Sequence, residues 1–107
     1  MSLLFTSLNA VSVTGAGVEN EFDTPKLSVS MQVFFTGSPT SVEVDLEGTI
    51  DGQNFARIGE FSTTRNSNGD IIGNTVAPVA PVIAVRANLI TLTGGTSPTV
   101  TAVIAAA

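Results

Sequence analysis

SVEVDLEGTI, at residues 41–50, alternates between apolar and polar side chains. Successive side chains of a β-strand point to opposite faces, so this two-residue period predicts a strand with one buried face. The predicted inward residues are Val42, Val44, Leu46 and Ile50, and the predicted outward residues are Glu43, Asp45, Glu47 and Thr49.

The segments on either side continue the pattern. Leu27–Phe35 alternates in the same way, and Thr36–Ser41 between the two strands contains Gly and Pro, so an antiparallel hairpin is predicted there. Asp51–Asn54 is a second predicted turn, leading into a shorter strand at Phe55–Ser62. These segments together predict a three-stranded meander.

Further strands are predicted towards both ends. Val82–Leu92 and Thr99–Ile104 are expected to pair across Gly94–Pro98, whereas the polar stretch Thr63–Gly73 is expected to be a loop. Val11–Thr14 is a predicted strand, and Leu3–Leu8 is a strand or an arm. The expected fold is all-β, an antiparallel β-sandwich or jelly roll of six to eight strands in a single domain. Residues 1–10 would form an N-terminal arm or edge strand, and residues 11–107 the sandwich domain.

A short repeat links two of the predicted turns. Thr36-Gly37-Ser38-Pro39-Thr40 resembles Thr93-Gly94 followed by Ser97-Pro98-Thr99. A duplicated hairpin would place both loops at one end of the sandwich, where they touch a partner. The alternative is that Gly, Ser, Pro and Thr are simply the usual residues of turns.

The composition favours self-association and excludes several classes of function. Charged residues make up 12% and hydrophobic residues 43% of 107 residues, against about 25% charged in typical domains. We therefore expect other subunits to cover part of the surface, although abundant Ser, Thr and Gly would also keep it hydrated. A net charge of −5 with four basic residues argues against nucleic-acid binding.

Neither a membrane span nor secretion is expected. The apolar stretch Thr75–Val85 is interrupted by Pro78 and Pro81 and is shorter than the ~20 residues that cross a bilayer. The N-terminus lacks the basic and long apolar regions of a signal peptide. There is no Cys, so disulfides and thiolate metal sites are excluded.

The sequence offers little for catalysis. It has no His, Cys, Tyr or Trp, so acid–base chemistry would fall to carboxylates such as Glu43, Asp45 and Glu47. A glycosidase pair is disfavoured because a chain this short cannot add a deep aromatic cleft. These carboxylates are instead expected on a solvated or ion-paired face, with Arg57 or Arg86 as cross-strand neighbours. We expect a non-enzyme with no catalytic residue, no cofactor and no small-molecule substrate.

The sequence contains part of a metal-binding pattern. Asn66, Asn68 and Asp70 have the spacing that opens a calcium loop, but Ile71 and Ala77 stand where that loop needs glycine and a carboxylate. A second acidic cluster consists of Glu19, Glu21 and Asp23. Without further ligands we expect no metal site.

The aromatic residues argue against a sugar site and suggest one contact residue. All six are Phe, which lacks the polar group that makes Tyr and Trp common at wet sites. Most are expected in the core. Phe34 points away from Val33 and Phe35 by alternation, so it is a candidate interface anchor.

Three segments carry a resemblance to a known group of proteins. Ser41–Phe55, Val85–Leu89 and Thr93–Val100 resemble small β-sandwich virion structural proteins of tailed bacteriophages, in which LEGSxDGxNW is a common pattern. This chain departs from it at Thr49-Ile50 and has Phe55 in place of tryptophan.

The resemblance implies a capsid decoration (cement) protein. Such a protein, expected as a homotrimer, is made in the host cytoplasm and binds the outer capsid surface where major capsid subunits meet, which stabilises the head. The alternatives are a tail or fibre protein that contacts a host receptor and a carbohydrate-binding β-sandwich module. The interface candidates are Leu3, Leu4, Phe5, Phe34, Pro39 and Pro98.

Overall fold

The computed structural model describes residues 3–74 and 81–107, which form an all-β, antiparallel structure in two sheets. Nine strands lie in these residues: β1 Leu3–Val11, β2 Gly15–Ala16, β3 Asn20–Lys26, β4 Val29–Thr36, β5 Ser41–Thr49, β6 Ala56–Ser62, β7 Ile71–Gly73, β8 Val82–Thr93 and β9 Thr99–Ala106. The predicted fold class is confirmed. The count exceeds six to eight because β2 and β7 contain two and three residues.

The strands divide into two sheets that pack face to face. Sheet A has the order β1-β9-β4-β7, and sheet B has the order β2-β8-β5-β6, with β3 also paired to β8. The β4–β9 register runs without interruption from Val29↔Ala106 to Thr36↔Thr99. The last strand therefore lies in the middle of sheet A.

Alternation within each strand builds the core. The inward side chains of β4 and β9 are buried, and so are those of β5 and β8 opposite them. Phe35 of sheet A meets Phe61 of sheet B edge to face, with ring centroids 6.4 Å apart. The largest fully buried side chains are Phe61, Met31, Leu46, Leu89 and Ile104.

Both predicted hairpins between apolar strands are wrong. The strand before Thr36–Ser41 lies in sheet A and the strand after it in sheet B, so this loop is an arch between sheets. The same holds for the loop between β8 and β9, because β8 pairs with β5 and β9 with β4. An arch lets the inward residues of β4 and β5 face each other across the core, which satisfies the alternation as well as a hairpin does. Only the β5–β6 pairing of the predicted meander is confirmed.

Several local predictions also need correction. The alternation of β5 breaks at its end, where Thr49 is buried and Ile50 is 75% exposed because the chain leaves the sheet there. β7 lies inside the predicted loop Thr63–Gly73, and β3 was not predicted, since Phe22 is its one large apolar residue. Val11 closes β1, and the short strand after it is Gly15–Ala16.

The N-terminal segment forms strand β1 at one edge of sheet A, paired with β9 from Leu3↔Ala106 to Val11↔Val100. Met1 and Ser2 of the predicted arm lie outside the described residues, as do Ala77 and Pro78. An arm reaching a neighbouring subunit, and the division at residue 10, stay predictions. In the part of the chain that the structure describes, no helix has the length and apolar character to cross a membrane.

Candidate interaction surfaces

The outward side of sheet A carries no charge. Within its four strands, as described, no residue is ionisable. We call the outward side chains of this sheet the neutral face. Pairing aligns its members across the strands, and they include Leu4, Ser30, Phe34, Ile71, Val103 and Ala105. Large apolar side chains are exposed on it: Leu4 by 73%, Ile71 by 66% and Phe34 by 41%.

The predicted interface residues of β1 divide between the two sides of sheet A. Leu4 points outward, opposite Ala105, whereas Leu3 and Phe5 are partly buried and pack against the core. Their inward position follows from alternation, which places side chains one residue apart on opposite sides. Leu4 and Phe34 thus both lie on the neutral face, whereas Leu3 and Phe5 lie on the inner side of the same sheet.

The two remaining predicted residues, Pro39 and Pro98, lie in the two arches, which interlock at one end of the sandwich. The amide of Thr96 donates a 2.8 Å hydrogen bond to Gly37 O, and the amide of Thr40 donates a 2.7 Å bond to Thr93 O. The two loops therefore share one end of the sandwich, as the duplicated-hairpin interpretation required, although neither loop is a hairpin. Whether they contact a partner stays a prediction.

Backbone geometry explains the residues of these arches. Ser38 and Ser97, each directly before a proline, have positive φ angles of 52° and 46°. Gly37 and Gly95 also have positive φ, and a Cβ on Gly37 would lie 2.5 Å from Thr96 O. The arches are packed too closely for side chains at these glycines, so this end has a defined shape.

The outward side of sheet B is charged and largely paired within itself. Arg86 Nε donates a 2.8 Å hydrogen bond to Glu47 Oε1, and its guanidinium carbon lies 4.1 Å from the centroid of the Phe55 ring. Asn88 Nδ2 donates to the other carboxylate oxygen of Glu47 at 3.1 Å. The predicted placement of Arg57 and Arg86 across from Glu47 is confirmed.

Two other carboxyl groups on this sheet have shifted pKa values. Burial raises the pKa of Asp45, and the positive charge of Arg57 opposes that change. The pKa of Glu60 is lowered, chiefly by its hydrogen bond from Arg65 Nη2 at 2.5 Å. Arg57 Nη1 also donates to Glu60 at 2.7 Å. These contacts tie Glu47 and Glu60 to neighbouring arginines of the same chain.

The side chains first considered as metal ligands hold the backbone instead. Asn66 Oδ1 accepts a hydrogen bond from the amide of Ser62, and Asn68 Oδ1 accepts one from the amide of Phe35. Asn68 Nδ2 also donates to Phe35 O, so this side chain covers the edge of β4 beyond the short strand β7. Among residues 3–74 and 81–107, no cluster of three or more acidic residues has a geometry that could hold a metal ion.

A shallow depression of about 520 Å³ lies between β1 and the segment that follows it. Ser7 is buried at its base, but its hydroxyl already donates to Val18 O at 2.7 Å and accepts from the Ala87 amide at 2.8 Å. No charged or aromatic side chain lines the depression. Ser7 therefore joins β1 to sheet B and has no spare donor for a ligand.

Comparison with solved structures finds a prophage-derived protein of similar fold. The crystal structure of the SPBc2 prophage-derived protein YomS superimposes with a TM-score of 0.59 at 17% identity, covering 99% of this chain and 92% of that one. The fold is similar to that of YomS. The crystal structure of PirA superimposes with a TM-score of 0.41 at 10% identity, covering 95% and 90%. Comparison with protein-family models and with curated proteins gives no match.

Sequence reasoning missed Ile71 as a surface residue, although it completes the neutral face at β7. It follows Asp70 in a polar stretch whose period is not apparent. The absence of charge from all four strands of sheet A is visible in the sequence, but it forms a surface only once β1, β9, β4 and β7 are known to be neighbours.

Proposed function

We propose that this protein is a structural protein of a phage particle, and more specifically a capsid decoration (cement) protein. The neutral face is the observation that carries the proposal, because an uncharged sheet with exposed Leu4, Phe34 and Ile71 suits burial against other protein subunits. The fold shared with a prophage-derived protein supports a phage origin. In this role it acts as no enzyme and takes no cofactor, nucleic acid or membrane as its partner.

The mechanism is mechanical. Copies are made in the host cytoplasm and form homotrimers. The homotrimers bind the outer surface of the head where major capsid subunits meet. A ligand that binds only the assembled state stabilises that state by mass action, by about 2.7 kcal/mol per site at a hundredfold excess over Kd. The interlocked arches give one end of each copy a defined shape for such a contact.

The test uses particles of the phage that carries the gene, prepared with the gene deleted. Purified protein added to deleted heads should bind at high copy number and raise the temperature at which the heads release DNA. Quantitative mass spectrometry of wild-type particles should show many copies per head.

Other outcomes would reject the decoration role. A few copies per particle, located on the tail together with binding to host cells, would indicate a tail or fibre protein. Glycan binding by a monomer that ignores heads would indicate a carbohydrate module. The same purified protein serves all three measurements.

A further inference from the structure

The charged residues of this chain are distributed very unevenly over its surface. All of them lie on the strands of sheet B or in loops, and the net charge is −5. Because acidic residues outnumber basic ones by nine to four, two copies that approach through sheet B or the loops bring net negative surfaces together. Two copies that approach through sheet A keep their acidic sides facing away from each other, so repulsion is smallest in that arrangement.

A charged partner fits the neutral face poorly. Burial of a partner's charge against sheet A would leave that charge without an opposite group in the four strands, and an unpaired buried charge is costly. A second copy brings only uncharged polar and apolar groups. We propose that the neutral face packs against the neutral face of a second copy of this chain.

The surface shape of the neutral face is compatible with packing against the same face of a second copy. Leu4 projects at one end, 73% exposed and paired with Ala105. Beside it is a depression of about 120 Å³, lined by Ser28, Ser30, Ala105, Ala106 and Ala107. This volume is far below the ~300 Å³ of small-molecule pockets, so it suits a single side chain such as a partner's leucine.

The area of the neutral face determines how strong the self-association can be. Strands lie ~4.8 Å apart and rise ~3.3 Å per residue, so four strands of this length present roughly 500 Å². Two copies would bury roughly 1,000 Å², which is at the lower limit for a specific interface. We therefore expect weak association in solution, which strengthens where neighbouring copies are held close together on a shell.

This inference deepens the proposed function, since it names the surface through which copies meet, and it rests on that proposal only for its biological setting. A surface that packs against the same surface of a second copy does so about a twofold axis, so this contact joins two copies.

The test is sedimentation velocity of the purified full chain from ~1 μM to ~1 mM. Leu4→Glu and Ile71→Glu place a charge on the neutral face at exposed positions, and each should raise the midpoint concentration of association at least tenfold. Ile50→Glu is the matched control, because Ile50 is 75% exposed but lies in the turn after β5. It should leave the midpoint unchanged, and circular dichroism should show the same β spectrum for all four proteins.

A wild type that stays monomeric to ~1 mM, or equal effects of Leu4→Glu, Ile71→Glu and Ile50→Glu, would overturn the inference. Binding of the same proteins to deleted heads is measured separately. Head binding by a strictly monomeric protein would overturn the inference and the expected homotrimer, and would leave the decoration role intact. Association through the neutral face without head binding would support the inference and reject the proposed decoration role.

Discussion

Single residues determine the shape of the arched end. Gly95 has a φ of +77°, and a Cβ there would run into Gly37 O and the Pro39 backbone. Gly52, in the turn after β5, has nearly the same φ of +80° but nothing within 4 Å of its hypothetical Cβ. Alanine substitutions at these two glycines therefore distinguish the free-energy cost of a left-handed backbone from the cost of steric crowding.

Gly52→Ala should lower the free energy of unfolding by about 1–2 kcal/mol, which is the cost of a left-handed alanine. Gly95→Ala should cost at least about 1 kcal/mol more, because one arch must move away from the other. Urea denaturation of both variants measures this difference. Equal losses would mean that the arches are not packed as closely as described.

Asp51 makes the turn after β5 sensitive to acid. Its carboxylate accepts hydrogen bonds from the amides of Gln53 and Asn54, the side chain of Asn54 and the hydroxyl of Thr49. These bonds, led by that from the Asn54 side chain, hold the pKa of Asp51 well below its usual range. A lowered folded-state pKa gives stability that is complete above about pH 4 and is lost as the pH falls further.

Asp51→Asn should therefore melt at a lower temperature than the wild type at pH 6, and the difference should shrink towards pH 2. Thermal melts followed by circular dichroism at half-unit pH steps test this. A difference that stays constant over the whole range would show that the carboxylate charge is not the cause.

At the level of elements, alternation predicted the strands but not their partners. Val42, Val44 and Leu46 point inward in a hairpin and in an arch alike, so the pattern could not distinguish the two. Both connecting loops are short and rich in Gly, Pro, Ser and Thr, a composition that serves either connection. The neutral face depends on these pairings, and for that reason only Phe34 and Leu4 of its large apolar residues could be selected from the sequence.

Engineered disulfides distinguish the two connections directly. Phe34 is directly opposite Thr101 on the outward side of sheet A, within the Cα separation that a disulfide accepts. In the rejected hairpin Phe34 would instead be opposite Glu43, which lies in sheet B. Phe34→Cys/Thr101→Cys should oxidise to an intramolecular disulfide and gain about 2–4 kcal/mol of stability.

The matched control is Phe34→Cys/Glu43→Cys, which should keep two free thiols under the same oxidation. Thiol counting by mass spectrometry after alkylation reads out both proteins. Rapid disulfide formation in the control would support the hairpin over the arch.

For the whole molecule, the charged outer side of sheet B favours solubility, and the uncharged outer side of sheet A favours contact with other subunits. Sheet B holds the ion pairs of Glu47 with Arg86 and of Glu60 with Arg57 and Arg65. The two pairs of Glu60, in which the arginine side chains are more than half exposed, contribute little stability, about 0–1 kcal/mol each, but they keep that side hydrated. Sheet A is free of charge, so a change of ionic strength should alter repulsion between copies far more than the contact across the neutral face.

The central position of β9 in sheet A has a consequence for biosynthesis. Among the described strands β1 pairs only with β9, and β4 pairs with β9 and with the three-residue strand β7. Until β9 has left the ribosome, β1 therefore has no partner in sheet A and β4 has only a short one. Contacts between such distant parts of a chain make folding slow. Sheet A is therefore complete only after β9 has been made, and a chain that stops before Thr99 would expose β1 and one edge of β4 to neighbouring chains.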